Sequence, residues 1–446
     1  MNTVKIIQTA RNTDDRLTEK GVYNLEKNKS TGVVLSIDPQ KSYQKIVGFG
    51  GAFTEAAAYT FYKMNAAKRD EIIMKYFDQQ AGIGYSMGRV HIHSCDFALE
   101  NYTYVEENDR ELKTFDTSRE DKWTIPMIKE AVKARKGDIS LLASPWSPPA
   151  WMKTNRDMNH GGQLLPEYRE AWANYYVKYI KAARVKGLKI CAITVQNEPA
   201  AVQTWDSCIY SAEEEGAFIR DYLGPILEKE GLGDIKLYIW DHNRDIMVER
   251  AAGTLSDPET AKYVYGVASH WYVSEAFENL SKVHELYPGK HILFTEGCQE
   301  GGVHLGSWLT GERYGRNMIG DFNNWQEGWL DWNLILDENG GPNHVGNFCD
   351  APIIADTTSQ EIHYNSSYYY IGQFSKFVRP GALRIDVYED GETSVQHVAF
   401  RNEDGSVVLI VMNETDNVQS LNAKLGDEYV WHALPAHAIA TLIFNK

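Results

Sequence analysis

Cysteine is scarce in this chain: Cys95, Cys191, Cys208, Cys298 and Cys349 are the five in 446 residues, and no two stand in a Cys-x-x-Cys spacing. An odd, dispersed set argues against a disulfide framework or a thiolate zinc site and fits free thiols in a reducing compartment. Positive charge is also short, with 45 Lys and Arg against 61 Asp and Glu and a formal charge of −16. Such a chain repels phosphate backbones and anionic headgroups, so nucleic acid is not an expected partner. No apolar run approaches a membrane span, and Met1–Arg11 has no secretory core. Stable membrane insertion is therefore not expected, and the expected location is cytoplasmic. Low-complexity tracts are missing too.

What is present is enough apolar material for a large core, 43% of the residues, and a length beyond that of a typical single domain. Between Ile46 and Val378 short apolar runs alternate with helical patterns in eight units, the number that closes a parallel barrel. The expected strands are 47–53, 85–92, 139–146, 190–198, 235–242, 264–272, 291–296 and 328–336. One expected helix covers 167–183, where Trp172, Tyr175, Tyr176, Tyr179, Ile180 and Ala183 recur at helical spacing. Past Arg379-Pro-Gly381 the pattern becomes strand-like, at 395–400, 407–412, 429–434 and 438–444. An early run, Gly32–Ile37, has no barrel partner and is expected to pair with those strands. The expected fold is an α/β (β/α)8 TIM barrel over 44–378 with an all-β sandwich built from both chain ends, 1–43 and 379–446.

Two glutamates close apolar runs, Glu198 in Ile193-Thr-Val-Gln-Asn-Glu-Pro199 and Glu296 in His291-Ile-Leu-Phe-Thr-Glu-Gly297. A carboxylate at the end of a buried strand costs desolvation and does nothing for folding, which points to chemistry. Ending strands four and seven, the two face each other across the barrel mouth. Paired carboxylates of unequal acidity are what glycosidic hydrolysis uses, one as acid and base, the other as nucleophile. Retention of configuration requires their carboxyl groups to stand about 5 to 5.5 Å apart. At that spacing the charge of Glu296 is expected to keep Glu198 protonated until the glycosyl ester forms.

A series of ordered motifs resembles glycoside hydrolase family 30, the glucosylceramidase-like retaining β-glycosidases. They include Val47-Gly-Phe-Gly-Gly-Ala-Phe-Thr-Glu55, Arg89-Val-His-Ile-His-Ser-Cys-Asp-Phe97, Ala143-Ser-Pro-Trp-Ser-Pro-Pro-Ala-Trp151, Gln196-Asn-Glu-Pro199, His270-Trp-Tyr272, Thr295-Glu-Gly-Cys298, Asp331-Trp-Asn333 and Gly340-Gly-Pro-Asn343. The resemblance implies the barrel-plus-sandwich fold, Glu198 as acid/base and Glu296 as nucleophile. It implies that Asn197 bonds the sugar 2-hydroxyl and that Arg89 orients the nucleophile. Asp96, Trp146, Trp332 and Asn347 match positions that grip a terminal glucose, Tyr272 would donate to the nucleophile, and His270 lines the same pocket. The loop Ala200–Asp206 differs from that of animal glucosylceramidases, and its Trp205 is expected to shape the aglycone side. The expected substrate is a small-molecule or oligosaccharide β-glucoside, with endo-β-1,6-glucanase and β-xylosidase as alternatives. No metal or cofactor is required by this chemistry.

A metal-dependent barrel hydrolase is the rival from another class. His91-x-His93 would place two imidazoles on one strand face, with His242, His270 and Asp331 at later strand ends. A sugar-binding protein without catalysis is a third reading, which the presence of both glutamates disfavours.

Overall fold

A computed structural model describes residues 3–445. Eight parallel strands close a barrel: β1 (Gly48–Ala52), β2 (Met87–Ile92), β3 (Ser140–Pro145), β4 (Ile190–Thr194), β5 (Lys236–Asn243), β6 (Gly266–His270), β7 (His291–Glu296) and β8 (Gly328–Asn333). Each lies within or beside an expected run, and most are shorter, because backbone pairing stops where the chain turns onto the rim. The strands are buried on both faces, as parallel strands under a helical jacket must be. Outward residues such as Val90, Ile193, Ile239, Val267, Ile292 and Phe294 pack in one cluster with the helices. The helix expected from its aromatic spacing covers Arg169–Val185 and buries Trp172, Tyr175, Tyr176, Tyr179 and Ile180.

Inward residues form two layers. Met87, Leu142, Ala192, Tyr238, Ala268, Leu293 and Leu330 make an apolar plug near the N-terminal ends of the strands. Two residues further along the same strands stand Arg89, Ser144, Thr194, His270, Thr295 and Trp332, since a pleat returns a side chain to the same face every second residue. Strand β5 departs from this step. Trp240 and Asp241 both take left-handed φ values, 72° and 46°, and the pairing with β6 slips between Ile239 and His242. This bulge brings Asp241 inward, three residues after Tyr238, and the backbone strain costs about 1–3 kcal/mol per residue. Glu215 Oε1 accepts the N–H of Trp240 at 3.0 Å, which satisfies the donor that the bulge would otherwise strand.

Strands from both ends of the chain build one nine-stranded sheet that folds over a second core. Thr3–Ala10 pairs antiparallel with Ala438–Asn445. Val33–Lys45, the continuation of the expected early strand, lies between Leu383–Asp390 and Gln419–Leu425. These last two were missed by pattern reading: Leu383–Asp390 ends in exposed charge, and Gln419–Leu425 carries few apolar residues. Val407–Asn413 is buried on both faces, with Val407, Leu409 and Val411 in the sandwich core and Val408, Ile410 and Met412 against the barrel. Phe322–Phe400 ring contact and the Thr441 hydroxyl donated to Gln373 fasten the sandwich to the last two barrel helices. Among the described residues no helix is long and apolar enough to cross a membrane.

Candidate active site

A cleft of about 310 Å³ opens at the C-terminal ends of the barrel strands. Larger hollows of about 750 Å³ lie beneath the barrel and in the sandwich, and neither gathers a pair of carboxylates; a third of about 410 Å³ has Glu312 and Glu414 in its lining, engaged by His437 and Arg316. Glu198, Glu296, Asp96, Trp146, Asn197, Trp205, Tyr272, Trp332 and Asn347 all line the small cleft. Arg89 and His270 are wholly buried directly behind its wall. The eleven candidate residues, spread over 259 positions of chain from 89 to 347, thus converge.

Glu198 is not at a strand end. It lies four residues past Thr194, in a left-handed backbone conformation with φ 49°, and its N–H donates to the Asp241 carbonyl at 3.0 Å. Asn197 N–H donates to Pro145 on the opposite flank at 2.9 Å, so the rim segment is held from both sides although the regular ladder has ended. Glu296 closes β7 as expected. One oxygen of each carboxyl lies within 4.8 Å of the other, on the short side of the spacing that separates retention from inversion.

Around Glu296 the donors are specific. Arg89 gives one guanidinium N–H to Glu296 Oε2 at 2.7 Å, and its second terminal nitrogen bonds Asn197 Oδ1 at 2.9 Å and Asp241 Oδ2 at 2.8 Å. Tyr272 donates its hydroxyl to Glu296 Oε1 at 2.8 Å. The guanidinium also lies over the Trp146 ring, which stacks on Trp332 at 5.3 Å. Asp96 accepts from Asn343 and Asn347 at 3.2 and 3.0 Å, and burial pushes its carboxyl up to about 7 against those two bonds.

Asp241, absent from the residues singled out in the sequence, is the hub behind the cleft. Besides Arg89 it accepts from Thr194 at 2.7 Å and Thr295 at 2.6 Å, and faces His270 Nε2 at 3.0 Å. Burial alone would raise its carboxyl, but Arg89, His270 and Thr295 together hold it well below the usual range. Its sequence context, an acid late in the apolar run Leu237-Tyr-Ile-Trp-Asp241, is the same kind that marks the two glutamates. His270 joins this hub to the rim through Nδ1, 3.2 Å from Glu198 Oε1. Burial lowers its pKa, and Glu296, Asp241 and Glu198 outweigh that and raise it to about 9.

The two glutamates differ in the opposite sense to the expectation. Burial pushes Glu198 up, but His242 and His270 more than offset it and leave the group lowered. At Glu296 burial prevails over His270 and Arg89, helped by the charge of Glu198, and the group is raised. The charge of Glu296 therefore does not by itself keep Glu198 protonated; the neighbour of Glu198 whose proton affinity is raised is His270.

The proposed metal pair is not assembled. His91 is engaged by the His93 carbonyl and the Glu55 N–H, and His93 by Tyr175 and Ser147. Both rings are saturated by these bonds and neither lines the cleft, because His93 lies beyond the end of β2 with φ 51°. Asp331 turns away to Tyr314 at 2.6 Å.

Comparison with known proteins fits this arrangement. Residues 46–378 match the glycosyl hydrolase family 30 TIM-barrel domain, and 381–442 match the beta sandwich domain of the same family. The chain belongs to glycosyl hydrolase family 30. It is a retaining β-glycosidase that works with two glutamates. The lysosomal acid glucosylceramidase of Mus musculus is 36% identical, over 97% of this chain and 87% of the mouse protein. An endo-1,6-beta-D-glucanase of Neurospora crassa is 31% identical, over 90% of this chain and 85% of its own length. The crystal structure of SrfJ from Salmonella typhimurium superposes with a TM-score of 0.95 at 36% identity, with all of both chains covered.

Proposed function

We propose that this glycosidase removes terminal β-glucosyl groups from small or lipid-like aglycones, with Glu296 as nucleophile and Glu198 as acid and base. The observation that carries the assignment is the asymmetry of the carboxyl pair. Glu296 is clasped by Arg89 and Tyr272, which fix both its oxygens, while the Glu198 carboxyl faces the imidazoles of His270 and His242. Attack by Glu296 expels the aglycone oxygen, which takes a proton from Glu198. That proton is available because Glu198 carboxylate beside His270 imidazolium is one transfer away from the carboxylic acid beside neutral imidazole, and Asp241 on the far nitrogen holds the ring in place. Esterification removes the charge of Glu296, and Glu198 then takes a proton from the incoming water.

In this reading Asn197, held by Arg89, bonds the 2-hydroxyl, and Asp96 with Asn347 binds hydroxyls deeper in the cleft. The Trp146–Trp332 stack forms an aromatic wall beside them, and Trp205 borders the aglycone side. Five unpaired thiols support a reducing, cytoplasmic location, and we take 44–378 as the catalytic domain, with 1–43 and 379–446 as the sandwich. The names of the mouse and Neurospora relatives make glucosylceramide and β-1,6-glucan the two substrates to set against each other.

A panel of aryl β-glucoside, aryl β-xyloside, gentiobiose, laminaribiose and short-chain glucosylceramide, ranked by kcat/KM, tests this reading. Aryl glucoside and glucosylceramide should lead. Preference for xyloside, or for β-1,6-linked oligomers that rises with length, would overturn it. Proton NMR of the first product should show the β-anomer.

A further inference from the structure

Two thiols in the wall of the cleft have no part in the hydrolytic steps above. The segment after Glu296 runs antiparallel to the segment after Asn347: Glu300 and Cys349 form a bridge, and Asp350 N–H donates to the Gln299 carbonyl at 2.8 Å. That register sets Cys298 diagonally across from Cys349. Both line the cleft, and both pack in one cluster with Trp146, Trp332 and Tyr272.

Each sulfur is tied to the reaction centre. Cys298 Sγ lies 3.6 Å from the Tyr272 hydroxyl, the group that stands 2.8 Å from Glu296. Cys349 Sγ lies 3.8 Å from the Asn347 carbonyl, in the residue whose amide holds Asp96. Cys349, together with burial, holds Cys298 well above the ordinary thiol range, so Cys298 carries its hydrogen.

We propose that Cys298 and Cys349 are a redox-responsive pair that closes to a disulfide under a peroxide and thereby turns hydrolysis down. The deprotonated Cys349 sulfur attacks one peroxide oxygen, forming a sulfenic acid and releasing hydroxide, which takes up the proton Cys349 gave. Cys298 sulfur then attacks the sulfenic sulfur, and its own hydrogen leaves with the hydroxyl as water. Two thiols and one hydrogen peroxide become one disulfide and two waters, with both sulfurs oxidised and the peroxide reduced.

Closure must move backbone. Diagonal neighbours across antiparallel strands stand roughly 7–8 Å apart at Cα, whereas a relaxed disulfide needs about 5.5–6 Å. The segment that moves is bonded to the site at both ends, by Trp332 N–H to the Gly297 carbonyl at 3.0 Å and Trp271 Nε1–H to the Cys298 carbonyl at 3.2 Å. Its displacement shifts Glu296 and Trp332 together and removes the sulfur beside Tyr272. A bond formed under such strain is readily reduced, so the change reverses with dithiol.

The test oxidises the full-length reduced protein with hydrogen peroxide, removes the oxidant with catalase, alkylates the remaining thiols and maps peptides by mass. The expected result is a linked pair of peptides carrying Cys298 and Cys349, a loss of activity of about tenfold or more, and recovery of both on adding dithiothreitol. Cys298→Ser and Cys349→Ser, or the Ala variants where Ser impairs folding, should give no link and a treated-to-untreated activity ratio near one. Cys95→Ser should link as the parent does. Alkylated Cys298 and Cys349 after oxidation would overturn the proposal, and so would a linked protein of undiminished activity. The peptide map uses no glycoside, so its failure is distinct from failure of the substrate assignment.

Discussion

The two inward layers of the barrel lie on the same strands, one pleat apart, and do opposite things. The lower layer, with Leu142, Leu293 and Leu330, is apolar and carries no charge. The upper one holds Arg89, Asp241 and His270 with no exposure to solvent. Uncompensated, any of those three would cost several kcal/mol of desolvation, and they persist because each satisfies the others' donors and acceptors. The apolar layer thus fixes strand spacing, and the polar layer uses that fixed spacing to hold charges within hydrogen-bond reach of a substrate. Stability and chemistry are separated by about 7 Å along each strand, the length of two residues.

Substitutions can break that division. Replacing the proposed nucleophile should have the largest effect: Glu296→Gln is expected to lower turnover by roughly four orders of magnitude or more, with circular dichroism and thermal melting unchanged in form. Retained turnover would unseat the assignment. Glu198→Ala should cost about 10² to 10⁴ on glucosides with poor leaving groups, yet leave the first step on dinitrophenyl glucoside nearly intact and allow azide to accelerate the second. Equal losses on every leaving group would remove Glu198 as the acid.

At the hub, Asp241→Ala leaves Arg89 with one anion fewer in a buried place and should destabilise the fold by about 3–5 kcal/mol in urea titration. The milder Asp241→Asn tests the proton store. His270, raised to about 9, keeps its proton below that pH and loses it above, so the basic limb of kcat/KM should fall through about pH 9 in the parent. In the Asn variant that limb should move toward neutral pH; an unmoved limb would dissociate His270 from the acid's proton.

In the lower layer, Leu142→Ala should cost about 2–5 kcal/mol of stability while kcat/KM of the folded enzyme changes little, which would sharpen the contrast with Asp241. The smallest expected effect is at Asp96. Its carboxyl is pushed up to about 7 by burial, so it is neutral below that pH and a full acceptor above it. KM for the glucoside should therefore rise a few-fold as pH falls through about 7, and the dependence should vanish in Asp96→Asn.

Much of this could be read along the chain. Eight alternations announced the barrel, because a strand buried on both faces must be apolar throughout, and the two glutamates stood out against that background. The sandwich strands 383–390 and 419–425 did not, although both are interior to their sheet, since partly exposed strands carry polar residues at every second position or more. Asp241 closes an apolar run as the glutamates do, but its place at the hub comes from a left-handed bulge, invisible to any period-two count, that brings it inward.

Local order of residues was sufficient for the number of strands, the helical faces and for marking two acids that the cleft brings together, each of which depends on neighbours within a few positions. Distances across the barrel mouth were not encoded in any such window. The 2.7 Å grip of Arg89 on Glu296, the reversal of proton affinity between the glutamates and the meeting of Cys298 with Cys349 arise only when strands distant in the chain close on one another. Coulombic and hydrogen-bond energies depend on separation in space, and closure of the barrel is what sets that separation.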